Sequence, residues 1–207
     1  KGDTKIASAW IGDGATAETD FHTALTFAHV YRAPVIINVV NNQWAISVPR
    51  DSQTGAQTLA QKGIAGGLEC LQVDGNDIIA VRAAVEFAVK RARHGHGASV
   101  LELITYRLSD HTTADDARRY RDDEQVKQAW QREPIKRLKK YLMDIGWWSE
   151  QQETDWLVQC NAMADDEVNA YLATTTQPVE SMFDYLYGEM PHDVAEQRAQ
   201  VLQWEQR

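Results

Sequence analysis

The stretch from Gly12 to Asn42 constrains this chain more than any other: a Gly12-Asp13-Gly14 turn, the 26 residues Ala15 to Val40, and then the pair Asn41-Asn42. Ile6, Ala7, Ala9, Trp10 and Ile11 read as a short buried strand. Thr16 to Tyr31 reads as a helix, with Phe21, Ala24, Leu25 and Ala28 at helical spacing on one face. Pro34 disfavours helical geometry at Ala33, and Val35 to Val40 is β-branched and almost wholly apolar, the pattern of a second strand. A β-α-β unit of this kind has a right-handed crossover, so its two strands run parallel in one sheet. Asp13 and Asn42 then both lie just past strand carboxyl ends.

In open α/β sheets that edge is where ligands bind. The glycines flanking Asp13 let backbone approach a ligand closely, and the free amides opening the next helix favour an anionic group such as phosphate. A carboxylate with a carboxamide suits Mg2+, which is held by one or two carboxylates, other oxygens and substrate phosphates. Asp-Gly and Asn-Asn are also ordinary turn residues. The spacing and the strand-helix-strand context favour the site over the plain turn.

Further stretches carry a resemblance. They are Asn41-Asn42-Gln43-Trp44-Ala45-Ile46-Ser47; Thr105-Tyr106-Arg107 through His111 to Asp115-Asp116 and Tyr120-Arg121; and Tyr187-Gly188-Glu189-Met190-Pro191. With the GDG-to-NN spacing, which looks like the signature of thiamine-diphosphate enzymes, they resemble the α subunit of the branched-chain 2-oxo acid dehydrogenase E1 component, nearly end to end. Gly146-Trp147-Trp148 and the Tyr-x-Glu-Met-Pro stretch favour the branched-chain member over pyruvate or acetoin dehydrogenase α subunits.

The resemblance implies thiamine diphosphate and Mg2+ as cofactors. Asp13, Asn42 and the Trp44 carbonyl would hold the metal; Gly12, Gly14, Ala15 and Ile46 would line the cofactor. His111 would reach the diphosphate end and assist acyl transfer to a lipoyl arm. An imidazole of near-neutral pKa suits that work. Arg107, Asp115, Tyr120 and Arg121 would pin the loop that carries it. The implied partners are an E1 β subunit, in an α2β2 assembly with the cofactor between subunits, and the lipoyl domain of an E2 acyltransferase. A further expectation is that this chain is the C-terminal part of a longer subunit. Three positions depart from the animal form of the family. Thr112 and Asp122 stand where it has regulatory phosphoserines, and Val40 where it has an arginine. These departures point away from kinase regulation and towards a bacterial cytoplasmic enzyme, a mitochondrial matrix location being the eukaryotic alternative.

The remaining sequence bounds the alternatives. The charge of −9 on 207 residues is spread without a basic stripe, which argues against nucleic acid. No apolar run approaches the ~20 residues that span a bilayer. Cys70 and Cys160 lack CxxC spacing and read as reduced structural thiols. Pro49 to Gly67 reads as a loop with one short helix. Leu68 to Val73 is a strand, closed by the turn Asp74-Gly75-Asn76; Asp77 caps a helix from Ile78 to about Arg93, with Ala80, Ala84, Phe87 and Ala88 inward. His94-Gly95-His96-Gly97 invites a metal reading, but reads better as a helix-to-strand turn. Ser99 to Thr105 is a further apolar strand, followed by a long polar segment, Leu108 to Asp123.

Helices follow. Pro134 opens one that carries Ile135, Leu138, Leu142 and Ile145 and ends at Gly146. Ser149 with Gln152 caps another that runs towards Leu172, and a last one carries Val194, Val201, Leu202 and Trp204. The apolar stripes of this region read as core or as subunit interface. The expected fold is thus α/β: a parallel sheet flanked by helices over residues 1–122, and a helical region over 123–207. A noncatalytic nucleotide-binding or assembly module on the same sheet is the rival from another class. The chain lacks the GxGxxG fingerprint and Walker lysine that such a module would lead one to seek.

Overall fold

The computed structural model describes residues 3–205. Two compact units divide at Trp148 and Ser149. The first is built on strand β1 (Ala7–Gly12), helix α1 (Thr19–Val30) and strand β2 (Val35–Asn41). A hairpin of β3 (Trp44–Ala45) and β4 (Val48–Pro49) follows, then α2 (Arg50–Gln53), α3 (Ala60–Ala65), β5 (Glu69–Asp74), α4 (Ile78–Arg93), β6 (Ser99–Ile104), α5 (Asp123–Trp130) and α6 (Pro134–Asp144). The four-stranded sheet is wholly parallel in the order β1-β2-β6-β5. Its register aligns Gly12 with Val40 and Asn41 with Ile104, so all carboxyl ends share one edge. The expected parallel α/β fold is the one formed.

Both sheet faces are covered. On one, Phe21, Leu25 and Ala28 of α1 pack on Ile37, Val39 and Val100. On the other, Ala84 and Ala88 of α4 pack on Ile36, Leu101 and Leu103. Three local expectations give way to non-local packing. β1 is not buried: it is the edge strand, paired on one side only, and Trp10 is 61% exposed. Ala24 is exposed, leaving Phe21, Leu25 and Ala28 as the inward stripe of α1. On α4, Ala84, Ala88 and Ala92 face inward, while Phe87 lies outside beneath the Arg91 guanidinium, 5.8 Å from its ring centre.

The segment after the Asn pair is more ordered than its composition suggests, with a hairpin and two short helices where one helix was expected. Asp77 caps α4 by accepting from the Ile79 and Ala80 amides. His94 to Gly97 forms the turn into β6, with Gly95 and Gly97 both at positive φ. α6 has Pro134 in its first turn and is capped by the Glu133 carboxylate.

The second unit comprises α7 (Glu150–Ala173), a 3-10 turn (Val179–Met182) and α8 (His192–Glu205). Ser149 Oγ accepts from the Gln152 amide at 3.2 Å, the N-terminal cap its sequence announces. Among the described residues no helix is long and apolar enough to cross a membrane.

Candidate functional site

β1 ends at Gly12, and Asp13, only 1% exposed, opens a 3-10 turn over Gly14–Ala17. The Asp13 carbonyl accepts from the Thr16 amide and hydroxyl, at 3.1 and 2.7 Å. The first amides of such a turn, those of Gly14 and Ala15, have no acceptor within it. From α3, Lys62 Nζ reaches the Thr16 carbonyl at 2.7 Å and its hydroxyl at 3.0 Å. Burial first, and the nearby Arg50 charge second, lower the pKa of that ammonium. The Asp13 carboxylate accepts from Gln53 Nε2 at 2.7 Å.

At the end of β2, Asn41 is buried and Asn42 Oδ1 accepts from the Trp44 amide at 3.0 Å, a tight side-chain-stapled turn. Gln43 and Ile46 adopt φ of 73° and 54°, the left-handed region. For β-branched Ile46 this is a strained geometry. Its carbonyl is held by Arg107 at 2.8 Å. The hairpin that follows touches both halves of the site. A Cβ on Gly14 would stand 2.6 Å from that of Ala45, so here the glycine admits protein rather than ligand. Around Gly12, by contrast, there is open space.

The donor set fits a hard cation. Asp13 offers a carboxylate and Asn42 a carboxamide oxygen. Pro49, opposite Trp44 in the hairpin register, has no N–H to give the Trp44 carbonyl. Gln53 Oε1, on the side chain that donates to Asp13, is buried without a donor. Arg107 Nε and one of its terminal nitrogens are buried without an acceptor, an unmet pair that suits an anionic oxygen. Among the described residues no group of three or more His, Cys, Asp or Glu is placed to hold a metal ion. A metal at Asp13 must therefore lean on neutral oxygens and a ligand's own.

The long polar segment after β6 is knit to the same hairpin. Arg107 donates to the Tyr120 hydroxyl at 2.7 Å, and that hydroxyl donates to Asp115 at 2.5 Å. Asp115 also accepts from the His111 amide at 2.9 Å. The Tyr120 hydroxyl, then the His111 amide, hold the Asp115 carboxyl below the usual aspartate range. Burial first, and that same carboxylate second, push the Tyr120 phenol up. The Tyr120 ring lies 5.5 Å from that of Trp44, the Arg107 amide donates to the Asn42 carbonyl at 3.1 Å, and Arg121 donates to the Arg107 carbonyl. Hydrogen bonds thus run from the backbone of His111 to the Asn42 turn. The His111 side chain itself is exposed.

A cleft of about 1180 Å³ opens at the carboxyl edge of β2, β6 and β5. Trp44 and Tyr120 are the members of the expected site set that line it, together with Arg50, Gln72, Asp74, Glu102, Tyr106 and Arg132. Sequence reasoning passed over two residues that hold this edge, Gln53 and Glu102, and gave no role to Asn41, which it named only as half of the Asn pair. Glu102 stands out in sequence as the one charge within an apolar strand, but its partners do not.

Residues 1–180 match the dehydrogenase E1 component family, and the chain belongs to that family. It is 48% identical to the 2-oxoisovalerate dehydrogenase subunit alpha of Pseudomonas aeruginosa over 97% of its own length and 51% of that protein's. The 3-methyl-2-oxobutanoate dehydrogenase subunit alpha of Mycobacterium tuberculosis is 40% identical over 95% of this chain and 53% of its own length. For the pyruvate dehydrogenase E1 component subunit alpha of Staphylococcus epidermidis the figures are 39%, 95% and 54%. The chain thus spans about half the length of the curated relatives it matches.

Proposed function

We propose that this chain belongs to the α subunit of a thiamine-diphosphate-dependent E1 enzyme that decarboxylates branched-chain 2-oxo acids and passes the acyl group to the lipoyl domain of an E2 partner. The observation that carries this reading is the meeting of the Asp13 turn and the Asn42 turn on one hairpin, at the carboxyl edge of adjacent parallel strands. Asp13, Asn42 and the Trp44 carbonyl hold Mg2+; the Gly14 and Ala15 amides and Arg107 face the diphosphate, and Gly12 and Ile46 line the cofactor. When bound, the thiazolium supplies the electron sink for loss of CO2. Residues 1–122 provide these contacts, and the helical region 123–207, with its apolar stripes, meets other subunits.

His111 hydrogen-bonds the diphosphate end and moves a proton during acyl transfer. Its exposure suits a residue at a subunit junction. Arg107, Asp115, Tyr120 and Arg121 set its backbone, a role supported by the hydrogen bonds that tie this loop to the hairpin. Higher identity to the 2-oxoisovalerate enzyme subunit than to the pyruvate one supports the branched-chain substrate class. Bacterial relatives support a bacterial cytoplasmic setting, and Thr112 and Asp122 support an enzyme without kinase control.

The test is a substrate panel on the full-length α chain assembled with its β partner. Decarboxylation of 2-oxoisovalerate well above that of pyruvate, with acyl transfer to the lipoyl domain lost in His111→Ala, is the expected result. A preference for pyruvate would move the chain to the pyruvate enzymes. No turnover of any 2-oxo acid would favour the noncatalytic module.

A further inference from the structure

Glu102 lies in the middle of an apolar strand and is 1% exposed, yet no step of the proposed chemistry uses it. Its surroundings are unusual. Oε1 accepts from Asn41 Nδ2 at 2.8 Å, and Oε2 accepts from the Ala60 amide at 2.9 Å and Gln72 Nε2 at 3.1 Å. All three partners are donors, and they come from β2, the start of α3 and β5.

Two of these partners, Asn41 and Ala60, lead towards the candidate site. Asn41, fixed by Glu102, presents Oδ1 to the amide and the side chain of Gln43, at 3.3 and 2.9 Å. These bonds brace Gln43, which has left-handed geometry and stands between Asn42 and Trp44. Ala60 begins α3, whose Lys62 grips Thr16 and so the turn that Asp13 opens. One buried carboxylate therefore ties the end of β2 to the helix that holds the end of β1.

We infer that Glu102 is a positioning residue, holding the Asn42-Trp44 turn and the Asp13 turn at the spacing a shared cation requires. This rests on the cation-and-diphosphate reading of those turns. The chemistry specifies a carboxylate over its isostere. In E102Q, whichever way the carboxamide is turned, its NH2 meets an N–H donor. Flipping Asn41 to accommodate it would break the bonds to Gln43. A buried donor left without an acceptor is costly. The mismatch is repaired by N41D, which places an acceptor opposite the new NH2, keeps an oxygen for Gln43 and restores the net charge.

The experiment uses the full-length α chain assembled with its β partner. Two readouts are taken on wild type, E102Q and E102Q/N41D: amide hydrogen exchange at residues 42–46 without cofactor, and calorimetric affinity for thiamine diphosphate with Mg2+. The expected result is at least tenfold faster exchange at Gln43 and Trp44 and at least tenfold weaker binding in E102Q, with recovery of both in the double variant. If E102Q melts lower but keeps wild-type exchange at the turn and wild-type affinity, Glu102 is only a stability element and the inference is overturned. Should E102Q not fold, the double variant decides: wild-type protection supports the inference, and failure to fold overturns it. Faster exchange in E102Q from a wild type that binds no thiamine diphosphate would keep the positioning of the turn and overturn the cofactor reading.

Discussion

The tightest contact at the site is one a single methyl group would violate. In Gly14→Ala the new Cβ stands 2.6 Å from Ala45 Cβ, about 1 Å inside an ordinary carbon–carbon separation. Gly14 is not at positive φ, so the obstacle is steric and not conformational. Overpacking of this kind costs ~1–3 kcal/mol. Against it stands the ~0.4–1 kcal/mol that replacing glycine contributes by restricting the unfolded chain. Taking the middle of each range, the balance is a loss of about 1 kcal/mol, or ~2–4 °C in melting temperature for a chain of this size. The hairpin would yield before the sheet, and the Trp44 carbonyl would move with it.

Removing the obstructing atom reverses the effect. In G14A/A45G the added Cβ would face the Ala45 main-chain Cα position at 3.7 Å, ordinary contact. The assay is a double-mutant cycle on the full-length protein, scored by thermal unfolding and by affinity for thiamine diphosphate with Mg2+. We expect weaker binding and lower melting in Gly14→Ala, and a favourable coupling of at least ~1 kcal/mol in the pair, as residues in contact show. Wild-type melting in Gly14→Ala, or strict additivity in the cycle, would refute the reasoning.

In Tyr120→Phe, the Asp115 carboxyl loses its strongest partner and its pKa rises. A carboxyl held low stabilises the loop above the usual aspartate range, and that contribution is lost as pH falls through the lowered value. Carboxyl-carbon NMR should follow this upward shift, and an unmoved titration would count against the Asp115–Tyr120 bond. Cys70 carries a pH dependence of the opposite sense. Burial first, and the neighbouring Glu69 second, push its thiol from about 9 up to about 11. Its contribution is complete below about 9 and is lost as pH rises towards 11, and at pH 8 it should resist alkylation until the protein unfolds; rapid labelling of native Cys70 would disprove this. Gly12→Ala meets nothing within 4 Å, so it should leave melting unchanged while weakening cofactor binding; wild-type affinity would mean that the open space is not the ligand's.

The parts of the structure legible in sequence are those decided within a few residues. Pro34 ends a helix and begins a strand, Asp77 and Ser149 cap helices through amides two or three positions on, and the β-branched run at Val35 declares β2. What the sequence concealed depends on distant partners. β1 is exposed because strand order makes it an edge, and Phe87 is outside because the sheet accepts the alanine stripe of α4. The hairpin after Asn42 was hidden because Gln43 and Ile46 take left-handed geometry that glycine would have announced. Glu102 was hidden because its donors lie 61, 42 and 30 residues away. For the candidate site, the two turns were marked by their spacing. Their joining through Ala45 and Gln53 was not.

The central claim is that the Asp13 and Asn42 turns together hold a cation-bridged diphosphate. Calorimetry with thiamine diphosphate and Mg2+ on the full-length α chain with its β partner, comparing wild type with Asp13→Ala, tests it most directly. Mg2+-dependent binding in wild type that is lost in the variant is the expected result. Equal binding by the two proteins would contradict it.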